Sequence, residues 1–153
     1  MQSTDYEKLV EGYLLTDRQT LVAPQYLVRI NGRDRWIDVL AVRPKERVFY
    51  LVEVTENRKP NVIAQKLKDY HAAAEWLAER LALEIGFDGR WQAIPWIIIR
   101  REAEPAFRAA LEGIHFRCSF IEDLIAPAPP GRDSLDPLRW GRLGAREGLA
   151  TRL

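Results

Sequence analysis

The 153 residues include 23 Lys and Arg against 22 Asp and Glu, and this near-neutral balance argues against a protein that binds nucleic acid through non-specific phosphate contacts alone. Hydrophobic residues at 47% and charged residues at 29% exclude a disordered chain, and the single Cys118 excludes a disulfide framework. We expect one domain with its own core in a reducing, cytoplasmic setting.

The first predicted element is a helix over "TDYEKLVEGYLLTDR", with Thr4 or Ser3 as N-cap and Glu7 completing a capping box with Thr4. This N-terminal segment lacks the basic stretch followed by an apolar run that marks a signal peptide. No apolar run approaches the ~20 residues that cross a bilayer. The sequence therefore predicts a soluble intracellular protein with no membrane partner.

Three strands are predicted after this helix. The first is "TLVAPQYLVRI", where Pro24 indicates an edge strand or a bulge. "NGRD" then predicts a tight hairpin, because Asn-Gly accepts the positive φ values that such turns require. The next strands run from about Arg35 to Val42 and from about Val48 to Thr55, joined by "RPKER". Together the three strands form a meander.

A long helix is predicted over residues 60–83, because apolar residues recur there at alternating steps of four and three. "WQAIPWIIIR" predicts a strand, "EAEPAFRAALEG" a short helix and "IHFRCSFI" a last strand. The order α-β-β-β-α-β-α-β indicates an α/β fold in which helices flank a central mixed sheet. Residues 1–125 form this domain, and residues 126–153 form a Pro/Gly/Arg-rich C-terminal extension that we expect to pack on the body or on a second copy.

Two carboxylates interrupt the apolar strands of the meander, Asp38 in the second and Glu53 in the third. A buried carboxylate is costly unless a cation, a metal ion or firm hydrogen bonds accompany it. Two acids that converge repel each other unless positive charge lies between them. Mg²⁺ is commonly held by one or two carboxylates with water and a substrate phosphate, so a metal site is one reading. A structural ion pair with an Arg or Lys is the other.

This arrangement resembles the PD-(D/E)xK nuclease superfamily, which includes restriction endonucleases and Holliday-junction resolvases. The resemblance covers roughly residues 5–100 as an order of elements, and its motifs amount to a few residues. It implies a restriction-endonuclease-like fold. It also implies that Asp38 and Glu53, with Glu11 and less favourably Glu7 from the first helix, hold Mg²⁺ or Mn²⁺ for hydrolysis of DNA phosphodiester bonds.

The motif lysine of that family falls on Thr55 in this chain, which is a departure from the pattern. A threonine hydroxyl can hold a water molecule, but it does not supply the positive charge that stabilises the transition state. Some members of the superfamily take this lysine from the following helix. Lys66 borders the buried face of the predicted helix, so the resemblance assigns it as the substitute.

Two hypotheses follow from the sequence. The first is a divalent-metal-dependent phosphodiesterase that acts on DNA, with Asp38, Glu53, Thr55 and Lys66 as catalytic candidates and Glu11, Asp38 and Glu53 as metal ligands. The second is a catalytically inactive nuclease-fold domain that serves as a homodimerising or protein-binding module, with the C-terminal extension as its interface. If the protein is the phosphodiesterase, a separate targeting protein is expected as a further partner.

Overall fold

The structure, a computed structural model, describes residues 4–125 and a short strand at residues 146–148. The helices are α1 (Asp5–Leu15), α2 (Asn61–Ala72), α3 (Ala74–Ile85), α4 (Glu104–Ala110) and α5 (Ile121–Ile125), with a 3-10 turn at Arg101–Ala103. The strands are β1 (Leu21–Ile30), β2 (Arg33–Arg43), β3 (Val48–Thr55), β4 (Gln92–Ile99), β5 (Phe116–Phe120) and β6 (Arg146–Gly148).

The strands form one mixed sheet in the order β1-β2-β3-β4-β5, with the short β6 beside β5. The neighbours β1, β2 and β3 are antiparallel, as a meander requires. The pairs β3–β4 and β4–β5 are parallel, and helical segments connect these strands. The predicted mixed α/β sheet flanked by helices is therefore confirmed, and the structure adds α5 and β6 to the predicted order.

The hairpin between β1 and β2 has the predicted turn. Asn31 has φ 50° and Gly32 has φ 76°, so both residues lie in the left-handed region that a tight two-residue turn needs. Pro24 lies in β1, which is an edge strand of the sheet, so its missing N–H does not interrupt pairing with a second neighbour. Local sequence chemistry thus accounts for this end of the sheet.

Replacing Gly32 by alanine should destabilise the fold by about 1 kcal/mol, because a Cβ is disfavoured at positive φ. A Cβ at Gly32 would meet no heavy atom within 4 Å, so the expected cost comes from the backbone alone. The matched control is Gly12→Ala in α1, where space is equally open and alanine should stabilise by up to about 1 kcal/mol. Urea unfolding of the two variants would check both signs, and equal effects would contradict the backbone explanation.

The long helix predicted over residues 60–83 is wrong in one respect, because the structure divides it into α2 and α3 at Ala73. Ala73 has φ −101° and ψ 11°, outside the helical region. The two helices contribute differently to the core, although Tyr70 of α2 packs in the same cluster as α3. Leu67 of α2 lies in a cluster with residues of β4, α4 and β5, whereas Leu77 and Leu81 of α3 pack with residues of β1, β2 and β3. Separate packing therefore overrides a continuous apolar pattern.

The core lies on both faces of the sheet. On one face α1 packs through Val10 and Leu14 against Tyr50, Val52 and Val54 of β3. On the other face α2, α3 and α4 cover the sheet. The central strand β3 is therefore buried on both sides, as its near-continuous apolar sequence predicted. Among the described helices, none has the length and apolar character needed to cross a bilayer.

The C-terminal extension contributes one described element. Strand β6 pairs antiparallel with β5, so part of the 126–153 extension belongs to the sheet of the body. The rest of that extension, including Trp140, lies outside the described residues. The homodimer contact expected through the extension also lies outside the described residues.

Candidate functional site

The candidate site is centred on Asp38, where the regular pairing of β2 lapses on both sides. Pairing with β3 ends at Val39 and Val52, and the Oδ2 of Asp38 accepts a hydrogen bond from the backbone N–H of Val54 at 2.9 Å. Pairing with β1 also skips one step, where Gln25 lies opposite Asp38. The carboxylate of Asp38 therefore accepts a backbone hydrogen bond that a main-chain carbonyl would accept in a regular sheet, and regular strand pairing is interrupted there.

Glu53 lies on the neighbouring strand and is completely buried, with 0% exposure. Its Oε2 accepts a hydrogen bond from the Nζ of Lys66 at 2.7 Å, and its Oε1 accepts one from the hydroxyl of Tyr70 at 2.8 Å. Lys66 and Tyr70 are four residues apart on α2, so one face of that helix presents both groups to the carboxylate. Helix α2 therefore covers Glu53 from solvent.

The acid from α1 that comes close to this pair is Glu7. Glu7 is 8% exposed, and its Oε2 accepts a hydrogen bond from the Nε2 of Gln25 at 2.7 Å. Its backbone N–H donates to the side chain of Thr4, which is the N-cap of α1 as predicted. Glu7 also interacts electrostatically with Asp38. Asp38 therefore interacts electrostatically with Glu7, on the face that α1 covers, and with Glu53, on the face that α2 covers.

Burial and the nearby charge of Asp38 disfavour the ionised forms of Glu7 and Glu53. Burial, with the charge of Asp38, raises the pKa of Glu53 to about 8, and the contacts with Lys66 and Tyr70 only partly oppose this rise. Burial and Asp38 likewise raise the pKa of Glu7, against hydrogen bonds from Thr4 and Gln25. Lys66 is the cation that bonds directly to one of the three acids. The cluster would accept further positive charge.

Two predicted site residues lie apart from this contact network. Glu11, the favoured helical ligand, is half-buried one turn beyond Glu7 and makes no hydrogen bond or ion pair with any described residue. The Oγ1 of Thr55 accepts a hydrogen bond from the backbone N–H of Asn57 at 3.0 Å, which ends β3 in a local turn. Thr55 therefore caps the strand. Lys66, in contrast, forms an ion pair with Glu53, which is the contact expected if the buried acids are structural.

Sequence reasoning missed Tyr70 and Gln25. Tyr70 fits the apolar pattern of the predicted helix, which hides its polar role. Its spacing of four residues from Lys66 could have indicated a shared contact. Gln25 follows Pro24 in an interrupted strand, and nothing in its local sequence indicated a contact with Glu7. The contact of Gln25 with Glu7 can be recognised only from the three-dimensional arrangement of the strands.

The described side chains do not form a ready-made metal cage. No group of three or more His, Cys, Asp or Glu residues in residues 4–125 is placed to hold an ion. Mg²⁺ nevertheless binds proteins through as few as one or two carboxylates with several waters, and Asp38 and Glu53 supply two. The donor chemistry therefore fits a hydrated hard cation and does not fit a fully protein-enclosed one.

A separate groove of about 740 Å³ opens along α3 and the start of β4. His71, Trp91 and His115 are among its lining residues, and none of the three acids lines it. The acidic cluster is near the carboxyl end of β3, whereas this groove includes Gln92 at the amino end of β4. The groove and the acidic cluster are therefore distinct features.

The fold and site together define a mixed α/β protein with an acidic cluster at the carboxyl end of a buried parallel strand. In sheets of this kind, ligands commonly bind beyond the carboxyl ends of the strands. A scan of protein-family models and searches of curated proteins and of solved structures found no match to this chain.

Proposed function

We propose that the protein is a divalent-metal-dependent phosphodiesterase of the PD-(D/E)xK type that acts on DNA. The observation that carries the proposal is the electrostatic coupling of Asp38 to both Glu7 and Glu53, with Lys66 bonded to Glu53. A carboxylate cluster with one lysine is the arrangement that metal-assisted phosphate hydrolysis requires. The family resemblance of the sequence supplies the substrate class.

Each residue has a role in this proposal. Asp38 and Glu53 hold Mg²⁺ or Mn²⁺, which when bound polarises the scissile phosphate and lowers the pKa of the attacking water. Lys66 supplies the positive charge that Thr55 lacks. The side chain of Lys66 is 13% exposed, so it lies between the buried carboxylate and the solvent from which a phosphate would approach. Tyr70 fixes the orientation of Glu53.

The metal also accounts for an electrostatic imbalance in the cluster. Burial and mutual repulsion raise the pKa of both Glu7 and Glu53, which indicates that Lys66 and the hydrogen bonds leave the charged forms under-stabilised. A divalent cation would favour the ionised carboxylates. Perturbed pKa values of this kind are typical of functional sites, although structural ion pairs also produce them.

The test is Asp38→Asn, because asparagine keeps an oxygen that can accept the hydrogen bond from Val54 while it removes the charge. Mn²⁺ should bind the wild type in calorimetric titration, and its affinity should fall about tenfold or more in the variant. Cleavage of supercoiled and branched DNA in Mg²⁺ or Mn²⁺ should fall with it. Asp34→Asn is the matched control, since Asp34 lies on the same strand with its side chain 52% exposed.

Two results would overturn the proposal. One is a wild type that binds no Mn²⁺ at any pH at which the carboxylates are ionised. The other is cleavage that Asp38→Asn and Asp34→Asn reduce equally, because that pattern would come from a contaminating nuclease or from surface charge.

A second candidate is the catalytically inactive module, and one observation favours it. Both oxygens of Glu53 already have partners, Lys66 and Tyr70, and the residue has no exposed surface. A structural ion pair would have this appearance. If this candidate is correct, the wild type binds no Mn²⁺, and analytical ultracentrifugation of the full chain shows a dimer that truncation after residue 125 abolishes.

A further inference from the structure

The groove beside α3 combines apolar and acidic lining. Ala78 and Ala93 line it and are nearly buried, so their small side chains form part of its floor. Glu75 and Glu79 also line it, are exposed and lie four residues apart, on one side of α3. Its volume of about 740 Å³ is in the range typical of binding sites.

The two carboxylates of the groove have no partner of their own. Neither Glu75 nor Glu79 makes a hydrogen bond or an ion pair with any residue that the structure describes. Arg90 lines the groove from the loop before β4, which still leaves the described lining with an excess of negative charge. The groove therefore fits an apolar segment that carries a positive charge.

Strand β6 runs toward this groove. It is antiparallel to β5, with Arg146 opposite Cys118 and Gly148 opposite Phe116. The direction of β6 therefore leads toward the level of His115, the residue before Phe116, and His115 lines the groove. The chain thus leaves its last described strand beside one end of the groove.

The start of β4 extends the groove in the same direction. Trp96 is the partner of Arg117, so the earlier residues of β4 lie level with the start of β5 and beyond it. Gln92 and Pro95 belong to this part of β4 and line the groove. Two strand spacings of about 4.8 Å separate β6 from β4. Five extended residues span up to about 17 Å, which is enough to cross that separation and enter the groove.

The sequence after Gly148 has the chemistry that the groove fits. It is Leu149-Ala150-Thr151-Arg152-Leu153, in which an arginine is the one charged side chain and two leucines are the largest apolar ones. These residues lie outside the described part of the chain. Arginine can bond to a carboxylate through two N–H groups, and burial of leucine against an apolar floor is favourable.

We infer that residues 149–153 bind in the groove of their own chain, with Arg152 paired to Glu75 and Glu79 and the two leucines on the apolar floor. This inference is independent of the proposed function, because none of the acids near Asp38 lines the groove. It assigns part of the C-terminal extension to the body of the same molecule.

The first experiment uses the full chain with Glu79→Cys and Thr151→Cys under mild oxidation. The single native cysteine, Cys118, is buried. A disulfide within one chain should form at least about tenfold faster than in Glu102→Cys/Thr151→Cys, because binding in the groove raises the effective concentration of one thiol near the other. Glu102 is the matched control, since it is an exposed acid just beyond the carboxyl end of β4, away from the groove. Non-reducing electrophoresis measures both rates.

A charge exchange in the Glu79→Cys/Thr151→Cys chain tests the predicted ion pair. Glu75→Lys alone and Arg152→Glu alone should each slow disulfide formation by about two- to fivefold, which is the range expected for an exposed ion pair. The two changes together should restore the rate, because opposite charges again face each other. Restoration by the second change also shows that the single variants are folded.

Three results would overturn the inference. Equal rates for the Glu79 and Glu102 pairs would show that the segment does not bind in the groove. A disulfide that links two chains would show that the segment of a second copy occupies it. Failure of the combined charge exchange to restore the rate would refute the pairing of Arg152 with the acids of α3. None of these results bears on Mn²⁺ binding, so the proposed function is tested separately.

Discussion

At pH 9.5 the Lys66→Met variant should be about 2 kcal/mol less stable than the wild type, whereas at pH 6 the two should agree within about 1 kcal/mol. The cause is Glu53, which burial keeps protonated in the folded state up to a pKa of about 8, against an ordinary value of 4.5. Between these two values the folded protein retains a proton that the unfolded chain has lost. Stability of the wild type therefore falls as pH rises from 4.5 to about 8 and then levels off.

Removal of Lys66 takes away the charge that opposes this rise, so the pKa of Glu53 increases beyond about 8. The decline in stability then continues above that pH, by at most about 1.4 kcal/mol per pH unit for one proton. The cost of a fully unpaired buried charge, about 3–5 kcal/mol, is not reached because Glu53 takes up a proton instead.

Urea unfolding at pH 6, 8 and 9.5 measures this effect. Lys68→Met is the matched control, since Lys68 is an exposed lysine on the same helix and should show no pH-dependent difference from the wild type. A constant difference between Lys66→Met and the wild type at all three pH values would contradict the titration of Glu53 as its source.

Replacement of Glu53 by glutamine is expected to abolish function while the fold becomes more stable. Mn²⁺ affinity and DNA cleavage should fall by more than about 100-fold, because water cannot replace a lost ligand at a position with 0% exposure. At pH 8 the variant should gain about 1–4 kcal/mol, since the neutral amide avoids the desolvation that raises the pKa of Glu53. The amide oxygen can still accept from Lys66.

This variant also separates the two candidate functions. The gain in stability comes from burial and is expected for either candidate, so the metal separates them: in a structural ion pair Mn²⁺ should have no effect on either protein. In the proposed enzyme stability and activity change in opposite directions. Calorimetric titration, cleavage assays and urea unfolding on the same preparation provide the comparison, with Glu56→Gln as the control because Glu56 is an exposed acid just after β3.

Much of the fold was predictable because its signals are local. The Asn-Gly turn, Pro24 at an edge and the near-continuous apolar run of β3 each depend on neighbouring residues. The break at Ala73 was not predictable, because the residues around it are good helix formers and the apolar spacing continues across it. The break is explained only by the packing of the folded chain, in which Leu67 of α2 and Leu77 of α3 belong to different core clusters.

The site was predictable in part. Asp38, Glu53 and Lys66 were identified from their positions in apolar strands and at the border of a helix face. Glu7 and Glu11 could not be separated from sequence, since they are one helical turn apart and the position of α1 along the sheet decides which one meets Asp38. Gln25 depends on an irregular step between two strands, which leaves no periodic signal.

The meander has a consequence for the order in which the chain folds. Asp38 and Glu53 lie on adjacent strands joined by a short turn, so the two acids are brought together by contacts of low sequence separation. Lys66 and Tyr70 lie on the crossover that must close before β4 can pair in parallel with β3. Long-range contacts of this kind have a higher loop-closure entropy.

The repelling acids therefore meet earlier than the lysine that compensates them. A protonated Glu53 removes that repulsion during the early step, and a dissolved cation could act in the same way. We therefore expect the rate of folding to depend on pH through this repulsion, which involves the same carboxylate that the proposed chemistry uses.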